Sequence, residues 1–339
     1  MLRDRTVLEI GPGSGANSLY TATLKPARYV LLEGNPTGVR HINTLFGEFP
    51  QLGERIQVVE ELVEKYDTSE RFDFVFCEGM LGMAGVPDPV DLLRAVARFV
   101  APGGVLVITC MDAISDFAEK MRRLVAQLLI DPSESLANQC ARLVPVFSPH
   151  LSTLTGMSRR HDDWILDNLL SPASIGPYLT IPDAIKGIAT DFEAFGASPH
   201  FLTDWRWYKT LVPGQTRYNE TGIEQYWQHA HSLFDYRSVP SPRQGEDNRR
   251  FHDLCEVTRD RIREFESSRD LSVVRELRSD IHRVGLEARR FNSDAAEALV
   301  ELERLLLQLP PADGAVADSP RFVPWFGRGQ QYLSFSRNE

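Results

Sequence analysis

Three glycines at alternate positions follow a short apolar run, in the order Glu9-Ile10-Gly11-Pro12-Gly13-Ser14-Gly15-Ala16. Glycine is needed where a chain turns sharply from strand to helix and a ligand must approach the backbone. The same residues admit two readings. Gly11, Gly13 and Ala16 fit the G-x-G-x-x-A fingerprint, whose helix N-terminus holds a dinucleotide pyrophosphate. Glu33 closes the second apolar run, and a carboxylate there can accept both hydroxyls of a ribose under either reading. Glu9 lies in so apolar a run that its burial is costly unless it is hydrogen-bonded, by loop amides or by a ligand's ammonium group. Cys77, Glu78 and Gly79 end the fourth run. In an open α/β sheet that places them at the carboxyl edge, where ligands bind; a solvated loop carboxylate is the other reading of Glu78.

A second cluster is Ser158-Arg159-Arg160-His161-Asp162-Asp163-Trp164. His161 beside Asp162 could take a proton from a hydroxyl or amine. The same residues also make a solvated first helical turn, with Asp162 or Asp163 capping. His150 and His200, each beside a proline, are weaker candidates, and no Cys or His spacing suggests a metal site.

The elements that must position these residues are legible in part. TVLEI, RYVLLE, RIQVVE, FDFVFC and GVLVITC alternate with amphipathic stretches such as LLRAVARFV. This predicts right-handed βαβ crossovers and a doubly wound, mostly parallel sheet over residues 1–112. Residues 113–200, with FAEKMRRLVAQLL, WILDNLL and IPDAIKGIATDFEAF, read as a helical insertion above the sheet. DWRWYKTLV predicts a core strand within 201–212. A second helical insertion follows over 213–328. In it Val274, Leu277, Ile281, Val284, Ala288, Phe291 and Ala295 make a 3-4-3-4-3-4 seam. Intramolecular packing of that seam and a homodimer interface are both consistent with it, as is a hairpin broken at Asn292-Ser293-Asp294 with Asp294 and Glu297 as capping pair. ADGAVADSP reads as a flexible connector. The tail 329–339, with Tyr332, Ser334 and Ser336 alternating against Leu333 and Phe335, predicts a terminal strand returning to pair with DWRWYKTLV.

The chain has 339 residues, enough for about two domains or one domain with large insertions. A net charge of -10 argues against nucleic acid or an anionic membrane as main partner. No run approaches the roughly 18 apolar residues of a membrane span. Four cysteines without a paired spacing, and an opening MLRDRTVLEIG without a signal pattern, point to reduced thiols and the cytoplasm.

Taken in order, VLEIGPGSG, LLEGNP, RFDFVFCEGML and LLRAVARFVAPGGVLVI resemble the class I S-adenosylmethionine-dependent methyltransferases, over residues 5–112. The resemblance implies a Rossmann-like sheet with an antiparallel last strand and S-adenosyl-L-methionine as cofactor. The loop of Gly11, Gly13 and Gly15, with Glu9, would pass beneath the cofactor's amino-acid part. Glu33, with Gly34, would meet its ribose. From their place after the fourth run, Glu78 and Gly79 are candidates to face the cofactor, and Met80 and Met83 could pack on the adenine or the methyl donor, with core filling as their other reading. The family commonly places an acidic residue after strand three; Leu62 stands there, so Glu61 becomes the adenine contact, with backbone of Leu62 and Val63. The chain also starts almost at strand one, so the family's usual preceding helix is either missing from it or replaced by the insertions. The implied reaction is methyl transfer to O or N of a small molecule or a glycan sugar unit. The rival readings are a nicotinamide-dependent oxidoreductase, an aminopropyl transferase and a non-catalytic scaffold.

Overall fold

A computed structural model describes residues 2–82, 88–200 and 218–339. The chain runs β1 (Thr6–Ile10), α1 (Ala16–Thr23), β2 (Arg28–Glu33), α2 (Pro36–Glu48), α3 (Pro50–Gly53), β3 (Ile56–Glu60), β4 (Phe72–Cys77), α4 (Pro89–Ala97) and β5 (Val100–Cys110). Helices α5 (Phe117–Leu129), α6 (Leu136–Leu151), α7 (His161–Ile165) and α8 (Ile181–Ile188) precede β6 (Phe192–Ser198). Then come α9 (Tyr218–His229), α10 (Gly245–Ser268), α11 (Leu271–Ala288), α12 (Ser293–Leu305), α13 (Asp313–Ala317) and β7 (Gln331–Arg337).

Two compact units result. The first is Met1–Met111, Pro177–Tyr226 and Gln330–Glu339; the second is Asp112–Gly176 with Trp227–Gly329. In the first, seven strands lie in the order β3-β2-β1-β4-β5-β7-β6. Strands β1 to β5 pair in parallel, and β7 runs antiparallel between β5 and β6. This is the doubly wound, mostly parallel Rossmann-like sheet with an antiparallel last strand. Burial explains the sequence pattern. Val30, Leu31 and Leu32 of β2 are all buried, because helices cover both sheet faces. On β7 the alternation survives, with Leu333 and Phe335 buried and Ser334 and Ser336 partly open.

Helix starts follow side-chain chemistry. Asn35 caps α2 through the Thr37 amide at 2.9 Å, and Asp88 caps α4 through the Val90 amide at 2.8 Å, each with a proline in the first turn.

Several boundaries differ from expectation. The stretch IPDAIKGIATDFEAF stops being helical at Ile188, and FEAFGAS forms β6. The spacing Ile181, Ile185, Ile188, Phe192, Phe195 continues a helical period across the turn, so periodicity alone could not find it. β6, not DWRWYKTLV, is the described partner of the tail; DWRWYKTLV lies outside the described residues. Pro177–Tyr226 accordingly groups with the sheet, including most of α9 from the second expected insertion, and Asp112–Gly176 with Trp227–Gly329 supplies one helical unit.

In that unit α11 and α12 form a hairpin whose break falls at Asn292. The cap is Asn292 itself, accepting the Ala295 amide at 3.0 Å, rather than Asp294. Val274, Leu277, Ile281, Val284 and Ala288 are fully buried within this chain, which is the intramolecular reading of the seam. ADGAVADSP is not a plain connector: it contains α13, held by an ion pair between Arg142 and Asp313. An aromatic cluster of Phe117, Phe234, Phe251 and Trp325 forms the centre, with Phe234 to Phe251 at 5.0 Å and Phe234 to Trp325 at 5.1 Å.

Candidate functional site

The glycine loop leaves β1 with Gly11, Gly13 and Gly15 all at positive φ, 71°, 59° and 81°. A side chain at any of them is strained whatever space surrounds it. At Gly15 an added Cβ also meets Ile42 at 3.1 Å, and at Gly11 it meets the Met80 sulfur at 3.3 Å. Gly13 is different, since nothing lies within 4 Å of the position its Cβ would take. The loop is closed from the β2 side. Glu33, 7% exposed, accepts the Gly13 amide on one carboxylate oxygen and the Asn35 amide on the other, both at 2.8 Å. Each oxygen retains a lone pair for a further donor. Gly38, in the first turn of α2, completes the packing: a Cβ there would lie 2.8 Å from the Gly13 carbonyl and 3.0 Å from the Glu33 side chain. Sequence reasoning passed over Gly38; its place behind Asn35-Pro36 at a helix start was the only signal.

Glu9 is 4% exposed and accepts the buried Tyr29 hydroxyl. Burial raises its carboxyl above the ordinary range, the Tyr29 hydrogen bond opposes this, and the nearby Glu78 charge adds to it. Within the sheet unit the carboxylate thus has the Tyr29 hydroxyl as its hydrogen-bond donor.

Glu78 and Gly79 lie at the carboxyl edge, stitched to three elements. Gly79 donates its amide to Thr109 of β5 at 2.8 Å. The Glu78 carboxylate accepts Asn17 of α1 at 3.1 Å and the Tyr332 hydroxyl of β7 at 2.5 Å. Burial, then the Glu78 carboxylate, pushes the Tyr332 phenol upward, so it stays protonated as a donor. Tyr332 is 36% exposed. Asn17 and Tyr332 are site residues that the sequence did not single out.

After β3, Glu61 turns back to accept the amide of its neighbour Leu62 at 3.0 Å. Leu62 is half-exposed, and a Cβ on Gly34 would meet its side chain at 2.6 Å. Gly34 and Leu62 therefore share one patch beside Glu33. Met83 lies outside the described residues.

His161 and Asp162 open α7 and belong to the helical unit, whereas every residue above belongs to the sheet unit. Arg160 holds the Asp162 carboxyl down to about 2, and both side chains are open to solvent. Such an ionised carboxylate is a weak base. The cap position is Arg160, not Asp162 or Asp163, which lie in the first turn. Among the described residues no group of three His, Cys, Asp or Glu side chains could hold a metal ion, and no helix is long and apolar enough to cross a membrane.

The family model described as "Methyltransferase domain" matches residues 7–104. Over 107 residues the chain is 33% identical to the histone-arginine methyltransferase CARM1 of Oryza sativa subsp. indica, covering 31% of this chain and 20% of that protein. Over 108 residues it is 35% identical to the ubiquinone biosynthesis O-methyltransferase of Xanthomonas oryzae pv. oryzae, covering 31% of this chain and 43% of that one. The chain thus spans less than half the length of these curated relatives. The solved structure of PKMT2 from Rickettsia typhi is 13% identical, with a TM-score of 0.44 over 58% of this chain and 40% of that chain. Residues 7–104 thus match a methyltransferase domain, within a unit that carries the glycine loop, the acidic β2 terminus and the antiparallel β7.

Proposed function

We propose that the chain transfers a methyl group from S-adenosyl-L-methionine to an O or N atom of a small molecule or of a glycan sugar unit. The observation that carries this reading is the loop itself. Its three glycines are left-handed, Gly13 opens onto empty space, and Glu33 is fixed beside it by two backbone amides. These residues fit the cofactor. Glu33 would accept the ribose hydroxyls on its remaining lone pairs, and Gly34 with Leu62 would flank the adenine. Gly11, Gly13 and Gly15 would let the backbone approach the amino-acid part. Glu61 is occupied by the Leu62 amide on one oxygen and keeps the other for the adenine amine. When bound, the cofactor supplies an electrophilic methyl group.

This chain's own residues must hold the acceptor in line and out of water, which contributes most in such a displacement because the sulfonium charge is lost as the methyl moves. Glu78 is the group we place at the acceptor. Asn17 and Tyr332 fix its carboxylate at the carboxyl edge of β4, where it can orient a hydroxyl or amine and take its proton. His161 is the remaining candidate in the helical unit; the Arg160 pairing argues against Asp162. The small-molecule acceptor is supported by the name of the Xanthomonas relative, an O-methyltransferase of ubiquinone biosynthesis. The acidic net charge speaks against nucleic acid.

The oxidoreductase reading is disfavoured by β7. A dinucleotide fold continues its sheet as 3-2-1-4-5-6, whereas here an antiparallel strand enters between β5 and β6. The test is incubation with isotope-labelled methyl donor and fractionated cell extract, followed by mass identification of the labelled product. A labelled small molecule or glycan is expected. Titration with S-adenosylhomocysteine and NADH runs beside it. Binding of NADH alone would return the chain to the oxidoreductases, and tight S-adenosylhomocysteine binding with no labelled product would favour a scaffold.

A further inference from the structure

On the amino edge of the sheet lies a cavity of about 470 Å³, lined by Arg71, Arg94, Arg98 and Arg337. Topology gathers these residues from four places. Arg71 precedes β4, Arg98 precedes β5, Arg337 ends the antiparallel β7, and Arg94 lies on α4. The glycine loop, Glu33 and Glu78 sit at the opposite ends of the same strands. At about 3.3 Å per residue the six residues of β4 separate the two edges by roughly 20 Å. The cavity is therefore no part of the cofactor cradle.

Four guanidinium groups facing one space repel each other, and in a chain of net charge -10 their gathering is not a matter of composition. Their local bonds hold them without neutralising them. Arg98 donates to the Val63 and Tyr66 carbonyls, both at 3.0 Å, and stacks 4.6 Å from the Phe99 centroid. Arg71 donates to the carbonyls of Thr68 at 3.3 Å and Glu70 at 2.9 Å, and Arg337 to that of Val100. Only Arg94 has a carboxylate partner among the described residues, Asp91 at 2.7 Å. Each guanidinium uses part of its donor set on the protein and keeps further N–H groups for a ligand. Asp191 on the wall offsets one charge, leaving an excess of about two positive charges over the remaining three arginines. Below them, Ala97, Ile188 and Phe192 make an apolar floor.

Pre-oriented, unneutralised guanidinium groups around a concave site of this size match the donor pattern that multiply charged oxyanions such as phosphates require. We propose that this cavity binds a small phosphate-bearing molecule, its phosphate oxygens on the arginines and its body on the apolar floor. The site is separate from the methyl-transfer site and does not depend on that reading.

The test is isothermal titration of the full chain with inorganic pyrophosphate, and with ADP as the same charge on an organic body. Saturable one-to-one binding is expected, weakened at least tenfold in the double variant R71Q/R94Q. Both side chains are exposed, so the variant should keep its thermal midpoint and its S-adenosylhomocysteine affinity. Tighter binding of ADP would assign the site to an organic phosphate, and equal binding to the free anion. No saturable binding of either probe, unchanged binding in R71Q/R94Q, or displacement of the probes by S-adenosylhomocysteine overturns the proposal.

Discussion

Glu33 is held by the Gly13 and Asn35 amides, and this makes one pair of predictions separable from folding. Gly13→Val puts a branched side chain at positive φ into open space. It should weaken S-adenosylhomocysteine binding at least tenfold while leaving the far-UV spectrum native. Glu33→Ala should do the same by removing the ribose acceptor; titration calorimetry reads both, and unchanged affinity in the two variants would remove the site from the loop. At the acceptor side, Glu78→Gln should lower kcat by roughly 10²–10⁴-fold if the carboxylate takes the proton. Tyr332→Phe keeps the ring and loses the 2.5 Å bond, so its cost should be smaller, about 10–100-fold, and accompanied by a shift of the pH-rate profile. The loop was legible because only glycine tolerates its backbone. Tyr332 was not, since its meeting with Glu78 spans 254 positions and depends on where β7 inserts.

At the scale of elements, parallel strands covered on both faces left uninterrupted apolar runs, and five of them are readable in the sequence. β6 was hidden because a helical period ran through Phe192 and Phe195 by coincidence. Its true character rests on pairing with β7 and on Asn219 of α9, which bonds the Phe192 carbonyl and the Ala194 amide, both at 2.9 Å. No local pattern carries such a contact. The α11–α12 hairpin shows the reverse case, a break visible in sequence but capped at Asn292, two residues earlier than the expected Asp294. Asn292 caps α12 and also donates to Asp235 at 3.2 Å and Ser238 at 2.9 Å. Asn292→Ala should therefore cost about 2 kcal/mol, the upper part of the capping range, since buried partners are left behind. Ile281→Ala in the buried seam should cost roughly 2–5 kcal/mol. Urea unfolding followed by circular dichroism measures both.

Across the whole molecule, burial of charge is concentrated in α5, which buries three cations, Lys120, Arg122 and Arg123. Arg122 is fully buried, donates to the Phe322 and Val323 carbonyls at 3.1 Å, and lies 3.6 Å from the Phe326 centroid. Burial lowers its pKa to about 9. The helical unit thus places ionisable groups where their titration couples to folding. His150 is buried and donates from Nε2 to the Val316 carbonyl at 3.1 Å, while Nδ1 has no partner among the described residues. Desolvation, helped by the Arg122 charge, lowers its pKa from 6.5 to about 3, and burial takes His231 down to about 4. The sign follows from linkage. The unfolded chain takes up the proton first, so His150 contributes stability above pH 6.5 that is lost as pH falls toward 3, by roughly 1.4 kcal/mol per unit. Glu119 acts in the opposite sense. Burial and Asp116 raise it to about 7, so its contribution grows as pH falls from there toward 4.5. A bare acid titration would mix the two, so the informative measurement is a difference. In His150→Gln the proton-linked loss disappears while Glu119 remains. The stability gap between the native chain and the variant should narrow steadily from pH 6.5 to pH 4, with the variant relatively favoured in acid. A gap independent of pH would mean that His150 is protonated or reaches solvent in the folded chain.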